Sequence, residues 1–275
     1  MRLAVLGSPI AHSKSPVLHR AAYDVLGLDW EYTAIEVGAG GLADFLASCG
    51  PDWRGLSLTM PLKREALPLL AEVEPVAAQV GAVNTVLLRD GARAGFNTDI
   101  YGVQQALREL GVTSPRTVLL LGAGATASSV IAAVHGLGAT CVVIGARTPG
   151  KAGEALKLAT RLGVTATAHD FDTAVREAAQ NADVVISTLP GDAALGRELP
   201  TELRQSVPLF DVAYAPWPTA IARSWAAVGG TAASGLGMLL HQALRQVRIF
   251  VTGDPDQPLD DEAAVLTAMR RAIGH

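Results

Sequence analysis

Short apolar runs alternate with amphipathic stretches along most of the chain. The runs are rich in β-branched residues and end at Gly, Pro or Asp, a pattern typical of buried strands. The predicted strands are Leu3–Gly7, Glu31–Val37, Gly55–Thr59, Thr85–Leu88, Arg93–Phe96, Val118–Leu121, Cys141–Gly145, Val164–Ala168, Asp183–Thr188 and Leu209–Val212. The dipeptide Asp90-Gly91 predicts a hairpin turn. The alternation of strands and helices predicts an α/β fold with mostly parallel sheets.

Helix signals support the same reading. In the predicted helix Pro16–Leu26, the apolar residues fall on one face. We expect Ser15 to be its N-cap, and Gly27 suits the left-handed position beyond its end. Two more helices are predicted near the C-terminus, Leu236–Thr252 and Asp260–Ile273.

Composition narrows the class of protein. The 275 residues are 49% apolar and 17% charged, which suits a globular chain of two domains. The net charge is −4 without a basic block, so nucleic acid is not an expected partner. No run reaches the ~18 apolar residues of a membrane span, and the first apolar run is too short for a signal peptide. We therefore expect a cytoplasmic protein. The two cysteines and six histidines form no ligand-spaced cluster, so no metal site is expected.

One glycine-rich loop follows a predicted strand and opens a predicted helix. Its residues are Gly122, Ala123, Gly124, Ala125, Thr126 and Ala127, a G-x-G-x-x-A motif. The first glycine permits a tight turn, the second lets the backbone approach a pyrophosphate, and the small sixth residue allows close packing of the helix. The motif predicts dinucleotide binding.

The next strand indicates which dinucleotide. NAD sites place an acidic residue at its end to bind the ribose 2′-hydroxyl. Here the strand is followed by Arg147, Thr148 and, slightly later, Lys151, with no acid. Because Arg can bind a phosphate through two hydrogen bonds, these residues favour NADP. The alternative is that Arg147 is a solvated residue after a strand.

Polar clusters interrupt the apolar first hundred residues. Ser13 and Ser15 precede a helix, a place that suits a carboxylate, although Ser15 also suits a simple cap. Lys63 is expected in the first helical turn after Pro61, where the helix dipole disfavours a cation, so a functional role gains weight over a solvated lysine. Asp99 suits either an N-cap or a ligand-binding position.

Together these motifs resemble the shikimate dehydrogenases along nearly the whole chain. The resemblance rests on G-S-P-I-x-H-S-x-S-P, x-x-T-x-P-x-K, G-A-x-N-T, G-x-N-T-D-x-x-G, the G-A-G-A-T-A loop and S-G-L-G-M-L-L-H-Q. It implies a substrate domain at 1–100 plus 235–275 and a Rossmann-like NADP domain at 101–234, with the active site in the cleft between them. The implied activity is the reversible NADPH-dependent reduction of 3-dehydroshikimate to shikimate.

The resemblance also implies residue roles. Lys63 and Asp99 would be the catalytic pair. Ser13 and Ser15 would hold the substrate carboxylate with Tyr214 nearby. The ring hydroxyls would be bound by Thr59, Asn84, Asp99 and Gln242. The cofactor would be bound by Gly122, Ala123, Gly124, Ala125, Thr126, Ala127, Arg147, Thr148, Lys151, Thr188, Gly235 and Met238.

Some positions depart from the commonest family pattern, among them Ser57, where many members have Asn, and Ala146, before Arg147. Alternatives within the family are a quinate/shikimate or an aminoshikimate dehydrogenase, and a non-catalytic shikimate-binding homologue. A folate dehydrogenase of similar build is less favoured because it does not need the twin serines. The expected partner is a small-molecule substrate, without nucleic acid or membrane, in a monomer or homodimer.

Overall fold

The computed structural model describes residues 1–193, 195–196 and 198–275. The chain forms two compact units, 1–99 with 240–275, and 100–239. The strands are β1 (Arg2–Gly7), β2 (Glu31–Glu36), β3 (Trp53–Leu58), β4 (Glu72–Val73), β5 (Thr85–Arg89), β6 (Ala92–Phe96), β7 (Thr117–Leu121), β8 (Cys141–Gly145), β9 (Thr165–His169), β10 (Val184–Ser187), β11 (Leu209–Asp211) and β12 (Ala232–Ser234). The α-helices are α1 (Ser15–Val25), α2 (Leu42–Ser48), α3 (Pro75–Val80), α4 (Asp99–Glu109), α5 (Ala125–Gly136), α6 (Gly153–Leu162), α7 (Phe171–Ala178), α8 (Thr201–Ser206), α9 (Ala220–Ala226), α10 (Leu236–Thr252) and α11 (Glu262–Ala272).

The first unit is built on a mixed sheet of order β2-β1-β3-β5-β6-β4. Strand β1 pairs parallel with β2 and β3, whereas β5 runs antiparallel to both β3 and β6. The β5–β6 turn contains Asp90 at φ 53° and Gly91 at φ 77°, the positive values that a tight type I′ hairpin requires. The predicted hairpin is therefore confirmed. Apolar side chains such as Leu56, Leu58 and Leu62 form the core on one face of this sheet.

The second unit contains a parallel sheet of order β12-β11-β10-β7-β8-β9. All five strand pairs are parallel. In chain order this is the 3-2-1-4-5-6 arrangement of doubly wound dinucleotide-binding folds. The central strand β7 is buried on both faces, since its residues 118–121 have no exposed surface. The α/β prediction with mostly parallel sheets is confirmed.

Two local predictions were wrong, and two short strands were missed. Helix α1 begins at Ser15 itself, with Lys14 at the N-cap position and no side-chain cap, so the buried Ser15 is the first helical residue and not the N-cap. No α-helix follows Pro61: the chain makes turns and then a short 3₁₀ segment, Leu67–Leu69, so the helix-dipole argument for Lys63 does not hold. The short strands β4 and β12 were not predicted. Within the described ranges, no helix is both long and apolar enough to cross a membrane.

Candidate active site

Polar residues from three strands meet at one edge of the first sheet. Thr59 follows β3, Asn84 precedes β5, and Asp99 follows β6. Because β5 runs antiparallel to its two neighbours, its beginning lies at the same edge as their ends. Ligands of open α/β sheets bind outside this kind of edge. The strand order therefore gathers residues that are far apart in the sequence.

Lys63 and Asp99 form an ion pair at this edge. Lys63 Nζ donates to Asp99 Oδ2 at 2.5 Å, and the two side chains are 28% and 9% exposed. The turn that carries Lys63 is tied to the sheet because the Lys63 carbonyl accepts the N–H of Val83 at 2.8 Å. Helix α4 begins at Asp99, whose N–H donates to Asn97 Oδ1 at 3.1 Å, while its carboxylate accepts from Lys63. An ammonium and a carboxylate are thus held together where little water reaches the carboxylate.

The Asn84 side chain orients the other carboxylate oxygen. Its Nδ2 donates to Asp99 Oδ1 at 2.9 Å and lies 3.4 Å from Gln242 Oε1. Its Oδ1 accepts the Thr98 N–H and the Thr85 hydroxyl, both at 2.8 Å. Since a backbone N–H can only donate, the amide orientation is fixed. The structure therefore joins four of the predicted residues directly: Lys63, Asn84, Asp99 and Gln242.

The two predicted carboxylate-binding serines lie at the start of α1. Ser13 is half-buried, and its Oγ accepts the N–H of Ser15 at 3.3 Å. Ser15 is 7% exposed. Thr59 is half-buried at the end of β3, and its N–H donates to the Leu6 carbonyl at 2.9 Å. Among the described residues, no hydrogen bond links Ser13 or Thr59 to Lys63, so these hydroxyls form a separate part of the candidate site.

The glycine-rich loop of the second unit has the geometry of an anion cradle. Gly122 has φ +114°, and a Cβ there would collide with the Thr188 hydroxyl. At Gly124 an added Cβ would meet nothing within 4 Å, and Gly124 and Ala125 are exposed. No side chain caps α5, while Ala127 is fully buried against the sheet. An open backbone loop at an uncapped helix N-terminus fits a pyrophosphate.

The end of β8 carries the groups predicted to read the ribose phosphate. Arg147, Thr148 and Lys151 are all exposed. In the described part of the chain, none of their side chains has a hydrogen bond or an ion pair. No acidic residue ends the strand: its last residue is Gly145, and Ala146 follows. Two cations and a hydroxyl are therefore free to bind an anion, so the residues present fit a 2′-phosphate.

The other predicted residues of the second unit have individual constraints. Gly235 is buried, and an added Cβ would collide with the Val212 carbonyl, so this position requires glycine. Met238 is 8% exposed in the first turn of α10. Tyr214 is half-buried, and burial raises the pKa of its hydroxyl. Thr188 follows β10, and its N–H donates to the Leu121 carbonyl at 2.8 Å.

Sequence reasoning missed residues that support Asn84. Thr85 and Thr98 both bond its amide oxygen, and Gln246 bonds its backbone carbonyl. Two features of the sequence could have indicated these residues. The threonines lie within the G-A-x-N-T and G-x-N-T-D-x-x-G motifs, and Gln246 follows Gln242 by one helical turn. Across the described residues, no group of three or more His, Cys, Asp or Glu could hold a metal ion.

Comparison with known proteins gives consistent matches. The model described as "Shikimate dehydrogenase substrate binding domain" matches residues 5–86, and "Shikimate / quinate 5-dehydrogenase" matches residues 104–214. The chain is 37% identical to the shikimate dehydrogenase (NADP(+)) of Citrifermentans bemidjiense, covering 94% of this chain and 92% of that one.

Solved structures give the same picture. The Mycobacterium tuberculosis shikimate dehydrogenase has a TM-score of 0.87 and 39% identity, covering 98% of this chain and 99% of that one. The Thermus thermophilus shikimate 5-dehydrogenase, solved with NADP(H) and shikimate, has a TM-score of 0.81 and 34% identity, covering 99% of both chains.

Proposed function

The chain belongs to the shikimate dehydrogenase family, and we propose that it interconverts 3-dehydroshikimate and shikimate with NADP(H). In this proposal Lys63 transfers the proton to and from the substrate oxygen, and Asp99 orients Lys63. The observation that carries the assignment of these two residues is their ion pair at 2.5 Å within a buried polar cluster. An ordinary ion pair at a protein surface requires neither a buried carboxylate nor further polar partners. Because this pair has both, it differs from an ordinary surface ion pair.

The reaction requires a hydride at the ketone carbon and a proton at the ketone oxygen. NADPH supplies the hydride when it is bound. Lys63 donates a proton from Nζ to the oxygen as the new C–H bond forms, and it takes the proton back in the oxidation of shikimate. Asp99 aims the ammonium group through Oδ2. Because the Lys63 side chain is 28% exposed, water can return the proton after each turnover.

Substrate binding is assigned to hydroxyl and amide groups of the first unit. Ser13 and Ser15, close to the N-terminus of α1, hold the carboxylate by hydrogen bonds that the helix dipole reinforces. Thr59, Asn84 and Gln242 bond the ring hydroxyls, and Tyr214 is assigned to the carboxylate. The positions of Ser15, Asn84 and Gln242 support this, since each is at least nine-tenths buried yet polar.

Cofactor binding is assigned to the second unit. The loop 122–127 takes the pyrophosphate, and Arg147, Thr148 and Lys151 take the 2′-phosphate of NADP. Thr188, Gly235 and Met238 are also assigned to cofactor binding. The absence of an acid at the end of β8 supports NADP over NAD, because a carboxylate there would repel the phosphate.

Steady-state oxidation in a two-by-two design tests this function. Shikimate or quinate is paired with NADP⁺ or NAD⁺, and the reduced nicotinamide is followed by absorbance. We expect activity concentrated in the pairing of shikimate with NADP⁺. Comparable rates with quinate or NAD⁺ would indicate a dual-specificity enzyme, and no activity in any pairing would indicate a binding protein. We also propose a cytoplasmic monomer or homodimer, to be checked by light scattering.

A further inference from the structure

A buried chain of hydrogen bonds extends beyond the residues assigned above. Gln246 on α10 lies in its middle and is 1% exposed. Its Oε1 accepts from Ser57 Oγ at 3.0 Å, and its Nε2 donates to Thr85 Oγ1 at 3.0 Å and to the Asn84 carbonyl at 3.2 Å. Buried polar groups are costly unless they are fully paired, and here every atom of the amide group has a partner.

The direction of these bonds is fixed by groups that have a single role. The Asn84 carbonyl can only accept, so Gln246 must turn its nitrogen to Asn84 and its oxygen to Ser57. The one proton of Ser57 is therefore donated to Gln246. The Tyr32 hydroxyl, 2.6 Å from Ser57 Oγ, must then be the donor in that bond.

One arm of the chain leads from Gln246 to the proposed carboxylate site. The Tyr32 hydroxyl donates to Ser57, and the Tyr32 ring packs against His19, which contacts the Ser15 carbonyl. Tyr32 keeps its proton, because burial raises the pKa of its hydroxyl. The His19 ring stacks on Tyr32 at 3.9 Å between centroids, and His19 Nδ1 lies 2.9 Å from the Ser15 carbonyl. The position of Ser15 is thereby tied to Gln246.

The other arm leads to the proposed acid–base pair. Thr85 Oγ1 accepts a hydrogen bond from Gln246 Nε2, and the Thr85 hydroxyl donates to Asn84 Oδ1 at 2.8 Å. Asn84 then donates to Asp99, which holds Lys63. The two arms meet at the side chain of Gln246: one begins at its Oε1 and the other at its Nε2.

We propose that Gln246 is a positioning residue of the reaction, holding the carboxylate-binding serine and the acid–base pair in a fixed relation. The inference rests on the proposed function. It predicts that loss of the Gln246 amide changes both substrate binding and turnover, while the cofactor constants stay the same.

The test uses Gln246→Met, which keeps the length of the side chain but removes the amide. Shikimate oxidation with NADP⁺ is measured in the folded protein. We expect kcat to fall about tenfold and the KM for shikimate to rise about tenfold, with an unchanged KM for NADP⁺. Thr85→Val is a nearly isosteric change that cuts only the second arm. We expect it to lower kcat with little change in the KM for shikimate.

Val247→Ala is the matched control. Val247 is the next residue of α10 and is fully buried without a polar group, so this change removes packing only. We expect it to lower the melting temperature and to leave kcat and both KM values unchanged. Unchanged kcat and KM for shikimate in Gln246→Met, or an equal rise in the KM for NADP⁺, would overturn the inference. If Gln246→Met does not fold, a normal kcat in Thr85→Val overturns it. A wild-type protein that oxidises no shikimate overturns the proposed function, and this inference with it.

Discussion

Replacing Lys63 with Ala removes the ammonium group that we assign as the proton donor. Asp99 stays in place, because Asn84 Nδ2 still donates to its Oδ1 at 2.9 Å. The serines assigned to the carboxylate are not altered, so substrate affinity should change little. General acid–base groups contribute roughly 10²–10⁴-fold to rates. We expect kcat to fall at least ~10²-fold, equivalent to about 2.7 kcal/mol of lost transition-state stabilisation.

The same substitution also lowers stability, and the two effects can be separated by size. A hydrogen bond to a charged group contributes about 1.5–3 kcal/mol. Lys63 is 28% exposed, so water replaces part of the lost bond and the low end of that range applies. A domain with about 5–15 kcal/mol of stability stays folded after such a loss. Unfolding therefore cannot account for a hundredfold fall in kcat.

The assay measures kcat and the KM for shikimate at saturating NADP⁺, with the melting temperature as a check of folding. Lys157→Ala is the control, because Lys157 also forms an ion pair, at 3.0 Å with Glu154, but on an exposed surface. This control should have wild-type kinetics. A folded Lys63→Ala protein with nearly normal kcat would remove Lys63 from the mechanism.

Three further predictions concern the cofactor loop, the phosphate site and the buried histidine. Arg147→Ala should raise the Kd of NADPH about tenfold and that of NADH much less, since only NADPH carries the 2′-phosphate; equal losses by fluorescence titration would contradict the phosphate assignment. Gly122→Ala should raise the Kd of both cofactors alike in the same titration, because φ is +114° and the new Cβ would meet the Thr188 hydroxyl; unchanged binding would contradict this. Burial lowers the pKa of His19 to about 4 from 6.5, so unfolded chains bind the proton first as the pH falls. Urea unfolding should show about 3 kcal/mol of stability lost between pH 6.5 and 4, a loss that His19→Phe should lack.

The architecture could be predicted wherever local chemistry and periodicity agree. β-branched runs bounded by turn residues predicted all the strands except two, and Asp90-Gly91 predicted the hairpin. The two missed strands carry little pattern: β4 has only two residues, and β12 is made of Ala and Ser. Periodicity needs several residues, and propensity needs side chains that favour a strand. Neither condition is met there.

The candidate site was less readable because its geometry comes from pairing across the chain. The motifs indicated Lys63 and Asp99 as important, but the local reason given for Lys63 was a helix that does not form. From the sequence alone, Tyr32 would be taken for an ordinary core aromatic residue and Gln246 for an amide on a helix surface. Only the fold shows that both are buried and that a line of hydrogen bonds joins them through Ser57.

The hairpin explains why this sheet can build the site. Asn84 and Asp99 lie 15 residues apart and flank the β5–β6 hairpin on either side. A parallel crossover would have placed the beginning of one strand and the end of the other at opposite edges of the sheet. The antiparallel turn returns the chain to the same edge, with Thr85 opposite Phe96, so that the amide of Asn84 reaches Asp99 at 2.9 Å. A slip of one residue in this pairing would turn the side chains to the opposite face. The turn at Asp90-Gly91 must therefore keep β5 and β6 in this register for Asn84 to reach Asp99 of the proposed acid–base pair.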